Sequence, residues 1–182
     1  MYHISSDSRA VKSAEMIVGA AVDLALSKKL DDITVSDIWR ESSVSRSTFY
    51  RLFDNVSDVL QYSCDRLFQL SASTAPKSKG TRNSVLLFIE EALKHKKLIL
   101  ALERNDRMDL LYSTIKHNFS AIMNTIGLGG CPPKEETYMV NILANCLCGG
   151  MNSWVQNGMT ESPEEVLMNF RKSFAIISTF LQ

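Results

Sequence analysis

Residues 34–53 decide the fold of this chain: Thr34-Val-Ser-Asp-Ile-Trp-Arg-Glu-Ser-Ser-Val-Ser-Arg-Ser-Thr-Phe-Tyr-Arg-Leu-Phe53. The stretch predicts two short helices joined by a tight turn, because an oxygen-bearing N-cap residue, Thr34 or Ser45, stands just before each helical pattern. Apolar residues recur at helical spacing and would form a shared inner face, namely Val35, Ile38, Val44, Phe49 and Phe53. The quoted residues therefore predict a packed helical hairpin.

The outer face of this hairpin is polar and basic. Hydroxyl groups and a helix N-terminus bind phosphates, and long basic side chains reach base edges, so the second helix has the residue types of a DNA recognition helix. On spacing alone, a solvated helical hairpin accounts for the pattern equally well. The candidate DNA-binding residues are Thr34, Ser36, Ser45, Arg46, Ser47, Thr48, Tyr50 and Arg51.

Helical periodicity extends outward from the hairpin over the rest of the chain. Helices are predicted at about 8–28, 56–73, 84–95, 97–103, from a cap at Asn105 or Asp106 to 126, at 134–157, and from 163 to the terminus. The small, polar and basic run Ser71 to Arg82 is the best candidate boundary. Since no period-two run indicates a strand, we expect an all-α fold with about nine helices.

Composition narrows the class of protein. Of the 182 residues, 45% are hydrophobic and 22% charged, which favours a globular protein over a disordered one. No apolar stretch is long enough for a membrane helix, so we expect no membrane partner. Four cysteines without zinc-site spacing, and no preceding signal peptide, favour reduced thiols and a cytoplasmic location.

The hairpin and its flanks resemble the DNA-binding domain of the TetR family of transcriptional regulators. The family pattern runs through T-V-x-x-I, a turn, V-S-x-x-T-[LF]-Y-x-x-F and an aliphatic residue in the next helix. The resemblance covers roughly residues 8–62, and the matching residues are Ile33, Thr34, Val35, Ile38, Val44, Ser45, Thr48, Phe49, Tyr50, Phe53 and Leu60.

The resemblance implies a two-domain regulator. Residues 1–55 would form a three-helix DNA-binding domain with a helix-turn-helix, and residues 56–182 a helical regulatory and dimerisation domain, connected by the helix at about 56–73. It implies a homodimer that binds a palindromic double-stranded DNA operator, expected to repress, with release by a small apolar effector.

Three positions depart from the family pattern. Ser43 replaces the usual glycine in a turn that often needs positive φ, Trp39 replaces a small residue, and Val56 replaces a phosphate-binding lysine. Trp39 must pack against the first or fourth helix or lie at the surface. Residues 1–70 also hold eight Lys and Arg against ten Asp and Glu, which weakens non-specific DNA affinity. The alternative function is a TetR-like co-regulator with weakened DNA binding that acts through a protein partner.

The last two predicted helices carry large apolar faces. We expect them to pair across a two-fold axis, with Gly149 and Gly150 allowing close helix approach. Burial of these faces within the monomer is the alternative. The predicted dimer residues are Met151, Trp154, Val155, Phe170, Phe174 and Ile177.

An effector pocket is expected among the middle helices, where Lys116 is the only charged residue between positions 110 and 123. A methionine and aromatic stripe at helical spacing is more often ordinary core, which is the alternative. The candidate lining residues are Phe88, Leu110, Leu111, Tyr112, Ile115, Phe119, Met123, Met139 and Leu143.

Enzyme functions and bound metals find no support in the sequence. It lacks a glycine-rich phosphate loop, a nucleophile elbow and an HExxH motif. His95 and His117 are isolated and flanked by lysines, with no partner at metal-ligand spacing. We therefore expect no catalytic residues, no metal and no cofactor.

Overall fold

The computed structural model describes residues 1–74, 84–118 and 132–180. These residues form nine α-helices and one short 3-10 helix at Leu30–Asp32. The helices are α1 Ser8–Ser27, α2 Val35–Ser42, α3 Arg46–Leu52, α4 Val56–Thr74, α5 Ser84–Lys94, α6 Lys96–Arg104, α7 Met108–His117, α8 Pro133–Gln156 and α9 Pro163–Phe180. Within the described residues the only β pairing is an isolated bridge between Tyr2 and Phe53. The predicted all-α class is confirmed.

The chain forms two compact units, each built from two segments of sequence. The first combines Met1–Arg66 with Lys97–Leu111, and the second combines Leu67–Lys96 with Tyr112–Gln182. Helices α4 and α7 each belong partly to one unit and partly to the other. The sequence predicts a division at residue 55 between a DNA-binding and a regulatory domain. This division is one of function, which the two compact units do not test, so it stays a prediction.

In the first unit, α1 packs against α2 and α3. Buried residues recur along α1 at helical spacing, and Ala14, Ile17 and Ala21 are completely buried. Small and medium side chains at these positions let α2 and α3 approach α1 closely. The core of the hairpin is completed by Ile38, Val44, Phe49, Leu52 and Phe53.

The second segment of the first unit is fixed to α1 and α4 by polar contacts. Asn105 accepts a hydrogen bond from the Leu30 amide at 2.7 Å and donates one to the Ala25 carbonyl at 2.9 Å. Lys97 pairs with Asp23 at 2.7 Å, and Arg107 donates to Ser57. The prediction that Asn105 or Asp106 caps the next helix is wrong, because Asn105 bonds the end of α1 instead and α7 begins at Met108.

In the second unit, α9 packs against α5 and α8. A Cβ atom at Gly150 would overlap the Phe170 ring, so only glycine permits this approach of α8 to α9. The start of α9 was predicted correctly. Ser162 and Glu165 form a reciprocal capping box, with bonds of 2.8 and 3.3 Å. The bonds from Ser162 lower the pKa of Glu165.

None of the helices that the structure describes combines the length and the apolar character of a membrane span. The predicted boundary from Ser71 to Arg82 and the expected extension of α7 to residue 126 fall largely outside the described residues.

Candidate DNA-binding face

The turn between α2 and α3 adopts a left-handed conformation. Ser43 has φ 56° and ψ 17°, which is the αL region that glycine enters most easily. The buried Ser42 hydroxyl accepts a hydrogen bond from the Val44 amide at 3.3 Å. The turn expected of the family therefore forms with serine at the glycine position, at a conformational cost of about 1–2 kcal/mol.

Helix α3 begins at the predicted cap. The Ser45 hydroxyl accepts a hydrogen bond from the Thr48 amide at 3.2 Å. Phe49 and Phe53 are fully buried, as predicted, and Leu52 is buried beside them. Because these three side chains face the core, the opposite face of α3 is left to solvent.

The solvent face of α3 carries the predicted recognition residues. Arg46, Ser47, Tyr50 and Arg51 are exposed, and Thr48 is half-buried. The Arg46 guanidinium lies 5.6 Å from the centre of the Tyr50 ring, a cation–π contact. The structure thus brings two cations, one aromatic ring and several hydroxyls onto one short helix.

Helix α2 is fixed at its N-terminus by an ion pair. The Thr34 hydroxyl and the Asp37 carboxylate form a capping box, and Lys28 donates to the same carboxylate at 2.7 Å. The hydrogen bond from Lys28, with those from Thr34, lowers the pKa of Asp37. Thr34 and Ser45 therefore act as helix caps. Ser36 is half-buried in the first turn of α2.

Trp39 lies at the surface, with 39% of its area exposed. A surface position is one of the alternatives that the sequence left open. Val56, at the position of the usual lysine, is half-buried at the start of α4.

The chain before α1 contacts the end of α3, which the sequence did not indicate. Residues Met1–His3, here called the N-terminal strap, lie along the end of α3. The His3 amide donates to the Leu52 carbonyl at 2.8 Å, and the Asp54 amide donates to the Met1 carbonyl at 3.3 Å. The nearest local hint is an aromatic residue and an isoleucine, Tyr2 and Ile4, ahead of the Asp7 cap.

The predicted dimer residues divide into two groups. Met151, Trp154 and Val155 of α8 are buried within the chain, Trp154 being only 3% exposed, which is the alternative considered from the sequence. Phe174 and Ile177 of α9 are 38% and 46% exposed. Phe170 is half-buried against Gly150.

The predicted pocket residues are likewise divided. Phe88, Leu110, Leu111 and Ile115 are buried, Tyr112, Met139 and Leu143 are half-buried, and Phe119 and Met123 lie outside the described residues. Leu110 and Leu111 belong to the first unit and the other described members to the second. Met139 and Leu143 pack against Val140. Nearby, a cavity of about 240 Å³ is lined by Lys116, Glu136, Thr137, Val140 and Asn141.

Among residues 1–74, 84–118 and 132–180, no three His, Cys, Asp or Glu side chains converge as metal ligands would. Cys148 is buried, and this burial raises the pKa of its thiol to about 12.

Together, the αL turn, the capped two-turn helix and its basic outer face define a helix-turn-helix protein. A family model of the TetR group, described as "Transcriptional regulator C-terminal region", matches residues 83–175, about half of the chain. The chain belongs to the TetR family of transcriptional regulators.

Solved structures share the fold. Lin0861 from Listeria innocua aligns with a TM-score of 0.77 and 16% identity over 99% of this chain and 96% of its own. A TetR transcriptional regulator from Streptococcus agalactiae 2603V aligns with a TM-score of 0.61 and 17% identity over 90% of this chain and 94% of its own. The sequence matches no curated protein.

Proposed function

We propose that this regulator binds a specific double-stranded DNA operator through α3 and represses transcription there, without enzymatic activity and in the cytoplasm. The observation that carries the proposal is the outer face of α3. Arg46, Ser47, Tyr50 and Arg51 are exposed on it together, while Phe49 and Leu52 anchor its inner face. A short helix with one buried and one basic face can enter the major groove.

The division of roles among these side chains follows from their chemistry. Arg46 opens α3 and can donate two hydrogen bonds to guanine, which makes it the main candidate for base reading. Ser36 and Thr34 at the start of α2, with Tyr50, are suited to phosphate contacts that position the domain. Tyr50→Phe should therefore weaken binding evenly across sequences.

The charge balance favours selectivity over general affinity. Residues 1–70 contain eight Lys and Arg and ten Asp and Glu, so attraction to the DNA backbone is weak. Contacts with the correct bases must then contribute much of the binding free energy. We expect binding with a high preference for the operator over other DNA.

We further propose a homodimer formed by α8 and α9. Both helices expose large apolar side chains, namely Tyr138 and Ile142 on α8 and Met168, Phe174, Ile176, Ile177 and Phe180 on α9. A groove of about 200 Å³ between the helices is lined by Cys146, Gly150, Ser153, Phe170, Ser173, Phe174 and Ile177. Among the residues that the structure describes, a Cβ atom at Gly149 would meet no atom beyond its own helix within 4 Å, which leaves room for a partner helix. Two-fold pairing implies a palindromic operator.

An effector that releases the DNA is the remaining part of the proposal. Its support is the cavity beside α7 and α8, where the Tyr112 hydroxyl donates to Asn141 at 2.6 Å. Lys116, which the sequence placed in this region, lines the cavity together with Glu136, a charged group that the sequence interpretation did not place there. Its 240 Å³ suits a small effector, because drug-sized ligands occupy roughly 300–1,000 Å³. Helix α4, which contributes to both units, is the proposed lever.

Selection from a random DNA pool tests the function. The purified wild-type protein should enrich an inverted repeat whose half-sites lie about one DNA turn apart, roughly 34–36 Å. The Arg46→Ala variant should enrich a more degenerate sequence. A pool that stays random with the wild-type protein would contradict the proposal and favour the co-regulator that acts through a protein partner.

A further inference from the structure

A continuous series of ring contacts connects the N-terminal strap to the DNA-reading face. The Tyr2 ring lies 5.1 Å from Tyr62 of α4, and Tyr62 lies 5.8 Å from Phe53. Phe53 and Phe49 follow at 5.9 Å, and Phe49 contacts Tyr50 at 5.5 Å. The series ends at the exposed ring over which the Arg46 guanidinium lies.

Hydrogen bonds fix the strap at the beginning of this series. The Tyr2 hydroxyl donates to Asp65 of α4 at 2.9 Å, and His3 Nε2 contacts Asp54 at 3.0 Å. Burial raises the pKa of Tyr2 to about 12, and the bond to Asp65 adds to the shift. The main chain pairs at the Tyr2–Phe53 bridge and from His3 to Leu52.

Helix α3 needs support at its C-terminal end. It has seven residues, so it spans only about 10 Å and two turns, too few to be stable by itself. Its N-terminal end is held by the Ser45 cap and the αL turn. At its other end, the strap bonds the Leu52 carbonyl, one of the terminal carbonyls that an isolated helix leaves without a partner.

We infer that Tyr2 and His3 are positioning residues for DNA recognition, which hold α3 at the angle from which Arg46 reaches the bases. The inference rests on the proposed DNA binding by α3. The strap acts through Phe53 and Tyr62 and need not contact DNA. Its partners are Leu52, Phe53 and Asp54 at the end of α3, and Tyr62 and Asp65 in the first half of α4.

Positioning predicts a loss of discrimination rather than a uniform loss of affinity. Contacts to bases require the correct angle of α3. A wrongly placed side chain loses these contacts, just as a correctly placed one loses them at a mismatched base pair. Phosphate contacts from the start of α2 do not depend on the end of α3. Loss of the strap should therefore weaken binding to the operator much more than binding to scrambled DNA.

The experiment compares the full-length wild type with Tyr2→Ala, Tyr2→Phe and Ile99→Val. Tyr2→Ala removes the ring and the hydroxyl, and Tyr2→Phe keeps the ring contact with Tyr62. Ile99→Val is the control, because it trims a buried side chain of α6 within the same unit and does not touch the strap. Affinities for the DNA enriched from a random pool and for its scrambled form are measured at one salt concentration, well below the unfolding temperature. Hydrogen exchange of the α2 and α3 amides is followed in the free proteins.

We expect Tyr2→Ala to lower the ratio of the two affinities about fivefold or more, and to speed exchange in α3 but not in α2. Tyr2→Phe should change the ratio less than twofold, and Ile99→Val should leave it unchanged. If the wild type prefers the enriched DNA and Tyr2→Ala keeps the same ratio of affinities, the inference about the strap is overturned while the proposed function stands. The same holds if Tyr2→Ala weakens binding to both DNAs by the same factor. A wild type that binds both DNAs equally would overturn the proposed function as well.

Discussion

In the proposed function, Arg46 is the residue on which recognition of the DNA bases depends most. It is exposed at the first position of α3, where a bidentate contact to guanine contributes roughly 1–3 kcal/mol of discrimination. We predict that Arg46→Ala lowers the preference for the operator by that amount, as measured by competition binding with single-base operator variants. Arg9→Ala, which removes an exposed charge from α1, should leave the preference unchanged. Equal effects of the two substitutions would indicate that Arg46 contributes only charge.

Ser43 stores strain that glycine would relieve. At φ 56°, a residue with a Cβ atom costs about 1–2 kcal/mol, and the greater freedom of glycine in the unfolded chain offsets about 0.4–1 kcal/mol of the relief. We predict that Ser43→Gly stabilises the protein by about 0.5–1 kcal/mol, raising the thermal midpoint by about 2 °C. Ser43→Ala is the matched control and should not stabilise. Identical midpoints for the two variants would argue against strain at this turn.

Among the contacts of single residues, those between side chains close in sequence were the most predictable. The capping boxes at Thr34–Asp37 and Ser162–Glu165 join residues three apart, so the sequence alone contains both partners. The pairing of Lys28 with Asp37 was not predictable, because it depends on how the end of α1 meets the start of α2. The pattern of exposure on α3 followed from its helical period.

Asn105 connects the end of α6 to the end of α1. Asn105→Ala would leave the Leu30 amide and the Ala25 carbonyl without their side-chain partner, which typically costs about 1–3 kcal/mol. We predict a loss of stability of that size, measured by chemical denaturation. The control Asn169→Ala, at an exposed position of α9, should lie within about 0.5 kcal/mol of the wild type. A neutral Asn105→Ala would show that these bonds contribute little.

Most helix starts were predictable, but the start of α7 and the partners of the helices were not. Asn105 has the residue type and position of a cap, and its side chain instead bonds residues 75 and 80 positions away. The sequence likewise did not indicate which apolar side chains of α8 and α9 are buried within the chain. Trp154 and Phe174 look equally suited to an interface, yet one is buried and the other exposed, because burial depends on which helices pack together.

The proposal that the molecule is a dimer rests on the exposed apolar faces of α8 and α9. We predict that the wild type is a dimer at micromolar concentration and that Ile177→Glu is a folded monomer. Burying a carboxylate from each protomer should weaken association by roughly 3 kcal/mol or more, about 100-fold. Sedimentation with circular dichroism tests this, and Thr179→Glu, also exposed on α9, should remain dimeric. A dimeric Ile177→Glu would exclude this interface.

The organisation of the whole chain was the least predictable level. Residues 97–111 belong to the same compact unit as the recognition helix, although the sequence placed them in the regulatory domain. The N-terminal strap meets Phe53 and Asp65 across about fifty to sixty residues of sequence. No local pattern specifies such pairs, because they arise only when distant parts of the chain pack together.

The ratio of affinities for enriched and scrambled DNA, at one fixed salt concentration, tests the central claim most directly. Non-specific attraction contributes equally to both DNAs, so the ratio isolates the reading of bases. We predict a ratio of roughly 10³ or more for the wild-type protein, as for specific DNA-binding proteins in general. A ratio near one would contradict recognition of DNA by α3.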